Sequence, residues 1–381
     1  MPENIRWYDT EEGQALVRLL TAEGVSPWLQ GLTREQLVRG ELRRAAKAGL
    51  CGALLDAADI GTALRWGTAY RAQMEQLAAQ NVSLSTALRV ILVKDARLAC
   101  DDLLGLYEET GGADGQVSFA ISPSLAFDPD AAVMEARVVR RTVDRPNLLV
   151  ALPGVGAGKT ALERLLARGI GVHVTGVFSA KQHLRVLRSC AKGLRAALDS
   201  GRKPESLHVV VSMPLSPLDS AAAALVEKTA PDQEDLSGVL GIASAQMTFH
   251  THEVELSRPE WAALTDKGAL PPRLMWRHHR SQAAALSPGH YVRGVVGWRT
   301  IMAMDSDAFA AAAASEQPCG DTLLCARPQA MAALQELEEI GINLSTIIPA
   351  LQREHVESGV LRREEVLGLL SDVLEEVNST R

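Results

Sequence analysis

The chain has 381 residues, of which 47% are hydrophobic, 22% charged and 4% aromatic, proportions typical of a globular protein with a sizeable core. This composition excludes a disordered or fibrous protein, and the few aromatic residues argue against a stacking surface for single-stranded nucleic acid. With 39 basic and 46 acidic residues the net charge is -7, so nucleic acid is not an expected partner.

The pattern of cysteines and apolar runs predicts a cytoplasmic protein. The five cysteines are scattered and lack CxxC spacing, which is typical of reduced thiols. The polar first residues do not resemble a signal peptide, and no apolar run reaches membrane-spanning length. A membrane is therefore not an expected partner either.

Short apolar runs alternate with longer helical patterns along the chain. Continuous rather than alternating apolar runs are typical of parallel strands that are buried on both faces. Eight such runs separated by helices predict an α/β fold, a closed (β/α)8 TIM barrel rather than an open sheet. The predicted strands are Val25–Leu29, Gly49–Leu55, Val117–Ile121, Asn147–Leu152, Gly171–Phe178, His208–Pro214, Arg273–His279 and Tyr291–Val296.

The predicted helices lie between these strands and after the last one. Residues 1–24 are interpreted as an N-terminal extension, and 25–381 as one barrel domain that includes C-terminal helices over 327–377 with a break at Gly359. The main helices predicted between strands are Leu77–Glu109, Thr160–Arg168, Ala180–Ser200 and Ser220–Thr229.

The segment after the fourth predicted strand is similar to a phosphate-binding loop but lacks its first glycine. A P-loop follows GxxxxGK[ST], and its first glycine lets backbone N–H groups surround a phosphate. Here Pro153 takes that place, where its ring fixes φ and removes one N–H. We therefore interpret the segment, which ends in Gly158-Lys159-Thr160, as a βα turn whose helix N-terminus could attract an anion. No cofactor is expected.

Several long stretches carry a resemblance to a known family. They read ADGQVSFAISPSLAFDPDAAVMEARVVRRTVDRPNLLVALPGV, RGIGVHVTGVFSAKQHLRVLRSCAKGL, PEWAALTDKGALPPRLMW and LQELEEIGINLSTIIPALQREHVESG, with PWLQGLTREQLVRGEL upstream. From about Val25 to Val377 the chain resembles the transaldolase family in its long bacterial form. The resemblance implies a TIM barrel. In ordinary members it also implies a Schiff base between a strand-4 lysine and a ketose phosphate, followed by retro-aldol cleavage of a carbon–carbon bond.

The resemblance also implies that several catalytic residues are replaced in this chain. The Schiff-base lysine belongs to a KIPAT motif that reads ALPGV here, so Ala151 stands at the lysine position. A methyl group cannot attack a carbonyl carbon, which closes the covalent route at that position. Among the eight lysines, Lys159 after strand 4 is the only candidate for a substitute amine. The other implied replacements are the strand-1 aspartate by Gln30 or Gly31, the strand-2 amide within Gly52–Leu55, the strand-3 glutamate by Ala120 and the strand-6 arginine by Pro217.

Strands 5 and 6 keep or gain polar residues where a barrel places its active site. By the resemblance, Thr175 matches a threonine that helps to hold the catalytic water, and Ser212 matches a serine that binds substrate. His173 replaces a family asparagine and shares a strand face with Thr175. His173 is a candidate acid or base. Each of these side chains could instead satisfy buried polar groups of the core.

Strand 7 ends in a basic run, Trp276-Arg277-His278-His279-Arg280, in place of the family's WAST segment. Arg280 aligns approximately with a phosphate-binding residue of the family. Arg277 and Arg280 are candidates for binding an anionic substrate, and His278 and His279 for carrying protons. A solvated basic turn or a subunit contact is the structural alternative. His250 and His252 do not share a helical face, and no metal is expected.

These observations favour a transaldolase-like barrel that has been adapted to a different, non-covalent acid–base reaction. The reaction would be of lyase, isomerase or cyclase type on an anionic, sugar-derived small molecule in specialised metabolism. The alternative is a catalytically inactive pseudo-transaldolase that serves as a binding or scaffold protein. A residual aldolase activity through Lys159 ranks last. The sequence leaves open whether the chain forms a homodimer or binds another protein.

Overall fold

Eight parallel strands close into a barrel in a computed structural model, which describes residues 6–80, 82–156, 158–229, 238–278, 286–315 and 320–379. Each strand pairs with the next along the chain, and β8 pairs with β1. The predicted TIM barrel is therefore confirmed. The strands are β1 Ser26–Leu29, β2 Gly52–Leu55, β3 Gln116–Ala120, β4 Leu148–Pro153, β5 Val172–Thr175, β6 Val209–Pro214, β7 Arg273–His278 and β8 Ile301–Met304.

Helices surround the barrel and cover one of its ends. Their apolar faces pack on the strands, which explains why nearly every strand residue is buried. No helix within the described ranges is both long and apolar enough to span a membrane. The helices are α1 Glu11–Ala22, α2 Arg34–Val38, α3 Glu41–Lys47, α4 Gly61–Trp66, α5 Arg71–Gln80, α6 Leu84–Glu109, α7 Pro129–Val143, α8 Gly158–Leu166, α9 Ala180–Asp199, α10 Ser216–Thr229, α11 Val239–Leu256, α12 Pro259–Thr265, α13 His290–Gly294, α14 Ser306–Ala313, α15 Arg327–Glu339 and α16 Leu344–Ser379.

Three predicted elements differ from the structure. The run Tyr291–Val296 is not the eighth strand: it contains the short helix α13, and the strand follows at Ile301–Met304. The single helix predicted over Leu77–Glu109 is two helices, α5 and α6. Gly359 does not break the last helix. A Cβ there would lie 3.0 Å from Pro123 Cγ, so the glycine permits a close approach inside a continuous helix.

The interior of the barrel is filled by a layer of apolar side chains near the N-terminal ends of the strands. These inward residues come from six strands and form one buried cluster, as is usual for small barrels. The Trp28 indole lies against Gly52, where a Cβ would come within 2.3 Å of the ring. The main residues of this layer are Trp28, Leu54, Leu149, Val210, Met275, Ile301 and Ala303.

A polar cluster ties the strands together at this N-terminal end. The Arg273 guanidinium of β7 donates to Ser26 Oγ at 2.6 Å, to Asp114 Oδ1 at 3.2 Å and to the Thr300 carbonyl at 3.1 Å. Ser26 also donates to Asp114 at 2.7 Å. The cluster joins the entries of β1, β3, β7 and β8.

A second buried ionic cluster holds α2, α5 and α6 together. Arg34 is 1% exposed, and its Nε lies 2.5 Å from Asp95 Oδ1. The same guanidinium donates to Gln73 and to the Ile91 carbonyl, and it lies 4.3 Å from the centroid of the Tyr70 ring. Burial raises the pKa of Asp95 to about 6, in spite of the opposing effect of Arg34. Loss of either charge would leave the other buried without its partner.

The last helix, α16, crosses the opposite end of the barrel. It packs against α4, α5, α6 and the short 3-10 helices Ala57–Ile60 and Pro123–Phe127. Those two segments directly follow β2 and β3. Helix α16 thus covers the C-terminal ends of the strands, the end at which barrel enzymes carry their active sites.

Candidate active site beneath the last helix

A cavity of about 440 Å³ lies between the C-terminal ends of the strands and α16. Residues of seven strands or of the segments that directly follow them form its walls, and α16 forms its roof. Its volume suits a small molecule. The charged and titratable residues that line it are Asp56, Asp59, His173, Arg277, Glu354, His355 and Arg362.

Arg277 is the cation on the strand wall of this cavity. Its Nε and Nη2 donate to Gln30 Oε1 at 3.2 and 3.0 Å, and Gln30 Nε2 in turn donates to the His278 carbonyl at 2.8 Å. In the described part of the chain, Nη1 has no hydrogen-bond acceptor and no carboxylate pairs with the guanidinium. Burial lowers the pKa of Arg277, but a guanidinium stays protonated at neutral pH. The cavity therefore holds a cation whose charge is not matched by a direct ion pair.

Two aspartates follow β2 on the same side of the cavity. Asp56 is exposed and caps the 3-10 helix Ala57–Ile60, where its Oδ1 accepts from the Ala58 N–H at 3.0 Å. Asp59 is less exposed, and burial together with the negative charge of Asp56 raises its pKa to about 7. Arg277 opposes this shift without cancelling it. A carboxyl group with such a pKa can donate or accept a proton near neutral pH.

His173 is a neutral imidazole in the wall formed by β5. Its Nδ1 lies 2.7 Å from Ser118 Oγ on β3. The residue is fully buried, and burial followed by the charge of Arg277 lowers its pKa to about 3. Its Nε2 has no hydrogen-bond partner among the described residues although the ring lines the cavity. This nitrogen is thus a buried polar atom in the cavity wall that the described protein leaves without a partner.

His355 of α16 is seated on the end of β5. Its Nε2 lies 3.3 Å from Thr175 Oγ1, and its ring meets Phe178 edge-on with the centroids 5.9 Å apart. Gly176, with φ of +70°, leaves the room for this ring, since a Cβ there would come within 2.4 Å of His355 Cδ2. Burial and the charge of Arg277 lower the pKa of His355 to about 4. The helix roof thus contributes a second neutral imidazole at a defined position.

The residues predicted from the sequence separate into two groups. His173, Thr175 and Arg277 line the cavity, and Ala151 is also part of its wall. Ser212 does not line it: the side chain is fully buried and donates to the Val174 carbonyl at 3.4 Å.

His278 lies outside the cavity lining as well. Adjacent strand residues face opposite sides, so Arg277 points inward while His278 points toward the surrounding helices. Its Nδ1 is 3.5 Å from Ser216 Oγ, and its ring lies against Tyr291 with the centroids 5.0 Å apart. The two remaining predicted residues, His279 and Arg280, lie outside the described residues.

Two N–H groups of the turn between β4 and α8 are occupied within the protein. Pro153 is the last residue of β4 rather than part of a loop. The Gly154 N–H donates to the Thr175 carbonyl at 2.7 Å, and the Gly158 N–H donates to the Val155 carbonyl at 2.9 Å. Lys159 lies in the first turn of α8, not in a loop as predicted, and it does not line the cavity. The N–H groups of Gly154 and Gly158 are therefore not available to a phosphate.

The positions that the sequence resemblance singled out meet in this one cavity. Ala151, Gln30 and Ala120 line it from β4, β1 and β3. Leu55 and Pro217 line it from β2 and the start of α10. No lysine side chain of the described residues lines the cavity.

Sequence reasoning missed five of the charged and titratable residues that line the cavity, namely Asp56, Asp59, Glu354, His355 and Arg362. Asp59 lies just after β2, and the rule that barrel sites follow strand ends would have indicated it. His355 and Arg362 lie on α16, and no local pattern marks them as site residues. Elsewhere, His252 Nδ1 lies 3.0 Å from His183 Nε2 in the buried contact between α9 and α11. Within the described ranges no group of three or more His, Cys, Asp or Glu residues could hold a metal ion.

The sequence comparisons point to one family. The model of the family described as Transaldolase/Fructose-6-phosphate aldolase matches residues 57–363. The transaldolase of Thermobifida fusca is 32% identical over 357 residues, which cover 93% of this chain and 97% of that protein. The transaldolase of Mycolicibacterium smegmatis is 32% identical over 350 residues, with 91% and 94% coverage. The transaldolase of Acidothermus cellulolyticus is 30% identical over 363 residues, with 95% and 98% coverage.

Proposed function

The chain belongs to the transaldolase/fructose-6-phosphate aldolase family, and from this premise we propose that it is an enzyme without Schiff-base chemistry that acts on an anionic, sugar-derived small molecule by non-covalent acid–base catalysis. The observation that carries the proposal is the Arg277 guanidinium, which faces the cavity with no carboxylate partner in the described chain. A desolvated cation of this kind attracts an anion.

No amine lines the cavity among the residues that the structure describes, which argues against covalent catalysis. A Schiff base needs an unprotonated lysine close to the substrate carbonyl. The position that corresponds to the family lysine is Ala151, which is 4% exposed. Arg277 cannot replace the lysine as a nucleophile, because a guanidinium does not lose its proton in a protein.

The groups around Arg277 support an acid–base role. Arg277 would bind the anionic group of the substrate, and Asp59 would transfer the proton, because its pKa of about 7 lets it change charge near neutral pH. His173 Nε2 would hydrogen-bond a substrate hydroxyl or carbonyl, and Thr175 of β5 together with His355 of the roof would orient the substrate.

The open cavity favours an enzyme over the scaffold alternative. A scaffold protein that binds its partner through the outer surface of the barrel does not require an internal cavity of about 440 Å³. This cavity also has a neutral histidine nitrogen and a guanidinium nitrogen without hydrogen-bond partners in the described chain. Unpaired buried polar groups lower stability and are found at functional sites.

Borohydride trapping tests the absence of covalent chemistry. The protein would be mixed with fructose 6-phosphate and sodium borohydride and then weighed by mass spectrometry, with a Schiff-base aldolase treated in parallel as a reagent control. We expect no added mass on this chain. A reduced sugar adduct on any lysine would refute the proposal.

Proton transfer can be detected without knowledge of the product. Candidate sugar-derived anions would be incubated with the enzyme in deuterium oxide, and exchange of carbon-bound hydrogen would be followed by NMR. We expect exchange with the wild-type protein and at least ~100-fold slower exchange with Asp59→Asn, because loss of a general base typically removes 10²–10⁴-fold. Equal exchange in both proteins would exclude Asp59 as the proton carrier.

A further inference from the structure

We propose that the anionic group bound by Arg277 is the carboxylate of a polyhydroxylated monocarboxylic acid, and not a phosphoryl group. The inference rests on the proposed function and names the substrate class of the same site. It follows from the free edge of one guanidinium, from the charges that surround it and from the polar groups on the other walls.

The guanidinium of Arg277 presents a planar, partly unoccupied edge to the cavity. Gln30 Oε1 accepts hydrogen bonds from Nε and Nη2 of Arg277. The N–H groups of Nη1 and the second N–H of Nη2 remain available to a ligand. Two parallel N–H groups match the two oxygens of a carboxylate in a fork-to-fork pair. Gln30 is itself held by the His278 carbonyl at 2.8 Å, so the orientation of the fork is fixed.

The charges that line the cavity suit a ligand with one negative charge. Among the described residues, the lining holds two cations, Arg277 and Arg362, and three carboxyl groups, Asp56, Asp59 and Glu354. A phosphate monoester carries nearly two negative charges at neutral pH and would face these carboxyl groups with one cation on the strand wall. A monocarboxylate pairs with Arg277 one to one and brings about half as much negative charge toward these carboxyl groups as a phosphate monoester does.

Two features that could bind phosphate are reduced in the described chain. The β4–α8 turn uses the N–H groups of Gly154 and Gly158 within the protein, at 2.7 and 2.9 Å from their acceptors. Pro217, which stands at the start of α10 and lines the cavity, has neither a charge nor an N–H. Phosphate sites commonly combine backbone N–H groups with a basic side chain.

The opposite walls offer partners for hydroxyl groups. His173 and Thr175 both line the cavity: His173 Nε2 is buried without a partner among the described residues, and Thr175 Oγ1 lies 3.3 Å from His355 Nε2. Neutral imidazoles and hydroxyls bind sugar hydroxyls without adding charge. A polyhydroxylated acid could therefore pair its carboxylate with Arg277 while its hydroxyl groups bind near His173 and Thr175.

Matched ligand series test this inference. Calorimetric titration would compare three six-carbon probes, gluconate, glucose 6-phosphate and glucose, and three three-carbon probes, glycerate, glycerol 3-phosphate and glycerol. We expect the carboxylates to bind at least ~10-fold more tightly than the phosphate esters and the neutral polyols, as one bidentate charged pair is worth about that factor or more.

Gln30→Glu is the sharpest variant, because it leaves the shape of the side chain and places a carboxylate where Oε1 already meets Arg277. This internal carboxylate should neutralise the fork and weaken carboxylate binding at least ~10-fold. Arg277→Lys keeps the charge but loses the fork and should weaken it to a similar degree. Arg137→Gln, an exposed residue of α7, is the matched charge control and should bind like the wild type.

The outcomes separate this inference from the proposed function. Tighter binding of the phosphate esters that disappears in Arg277→Lys overturns the carboxylate inference and leaves an anion site. Absence of binding by both anion classes overturns both. Carboxylate binding that is unchanged in Gln30→Glu overturns the placement at Arg277.

Discussion

The close packing of Gly176 against His355 makes a quantitative prediction about how α16 is held over the barrel. A Cβ at position 176 would lie 2.4 Å from His355 Cδ2 and 2.8 Å from Nε2, and the backbone there has φ of +70°. An alanine in this left-handed region costs ~1–2 kcal/mol. The clash adds ~1–3 kcal/mol, as overpacking of a filled site usually does.

We therefore expect Gly176→Ala to lower the free energy of unfolding by ~2–5 kcal/mol in the wild-type background. With His355→Ala already present, the three nearest contacts of the new methyl group are gone, and only the backbone cost of ~1–2 kcal/mol should remain. The double variant should thus be more stable than the sum of the two single changes predicts. The coupling should amount to ~1–3 kcal/mol.

Urea unfolding followed by circular dichroism measures the four proteins of this cycle. Gly368→Ala is the matched control, since this exposed glycine of α16 has no atom within 4 Å of an added Cβ. It should raise stability by up to ~1 kcal/mol through helix propensity alone. If Gly176→Ala costs the same in both backgrounds within ~0.5 kcal/mol, the His355 ring is not seated on Gly176 and the described roof is wrong.

Three further predictions concern charge and core packing. Asp59 has a folded-state pKa of about 7 against an ordinary value of 3.8, so the folded protein binds this proton more tightly than the unfolded chain and loses stability as the pH rises from about 4 to 7. Melting curves at pH 5 and pH 8 should show a smaller loss of stability for Asp59→Asn than for the wild type. An equal loss in the two proteins contradicts the raised pKa. Arg34→Met should lower the free energy of unfolding in urea by ~3–5 kcal/mol, because it leaves the buried Asp95 carboxylate without its cation. The double variant Arg34→Met/Asp95→Leu should recover much of that loss. A double variant no more stable than Arg34→Met would contradict this. Leu370→Ala, at a fully buried position of α16, should cost ~2–5 kcal/mol, and a cost below ~1 kcal/mol would mean that α16 does not pack as described.

The barrel could be predicted from the sequence because its strands are continuous apolar runs. Such runs can be recognised locally, without knowing which strands pair with each other. Seven of the eight strands were found within a few residues. The eighth was misplaced to Tyr291–Val296 because that run is longer and richer in β-forming residues than Ile301–Met304. Ile301–Met304 forms the eighth strand because it pairs with both β1 and β7 and so closes the barrel. A local sequence pattern carries no information about this pairing.

The site could be predicted only in part. Position at a strand end, together with the family resemblance, indicated His173, Thr175 and Arg277. The expectation that His278 shares their cavity contradicted the two-residue period of a strand, which places it on the other side from Arg277. His355 is separated from Thr175 by 180 residues, and only the course of α16 across the barrel mouth brings the two together.

The apolar layer around Trp28 contributes to the stability of the barrel, whereas most residues that line the cavity belong to a different level of the barrel interior. Met275 and Arg277 belong to the same strand and face the same interior, yet the first packs in that layer and the second lines the cavity. Exchanges of cavity side chains that do not belong to this apolar layer should therefore cost less stability than the loss of a core side chain. Such a chain can exchange the side chains of its cavity one after another and remain folded at every step, which leaves its reaction free to change over evolution while its architecture stays the same.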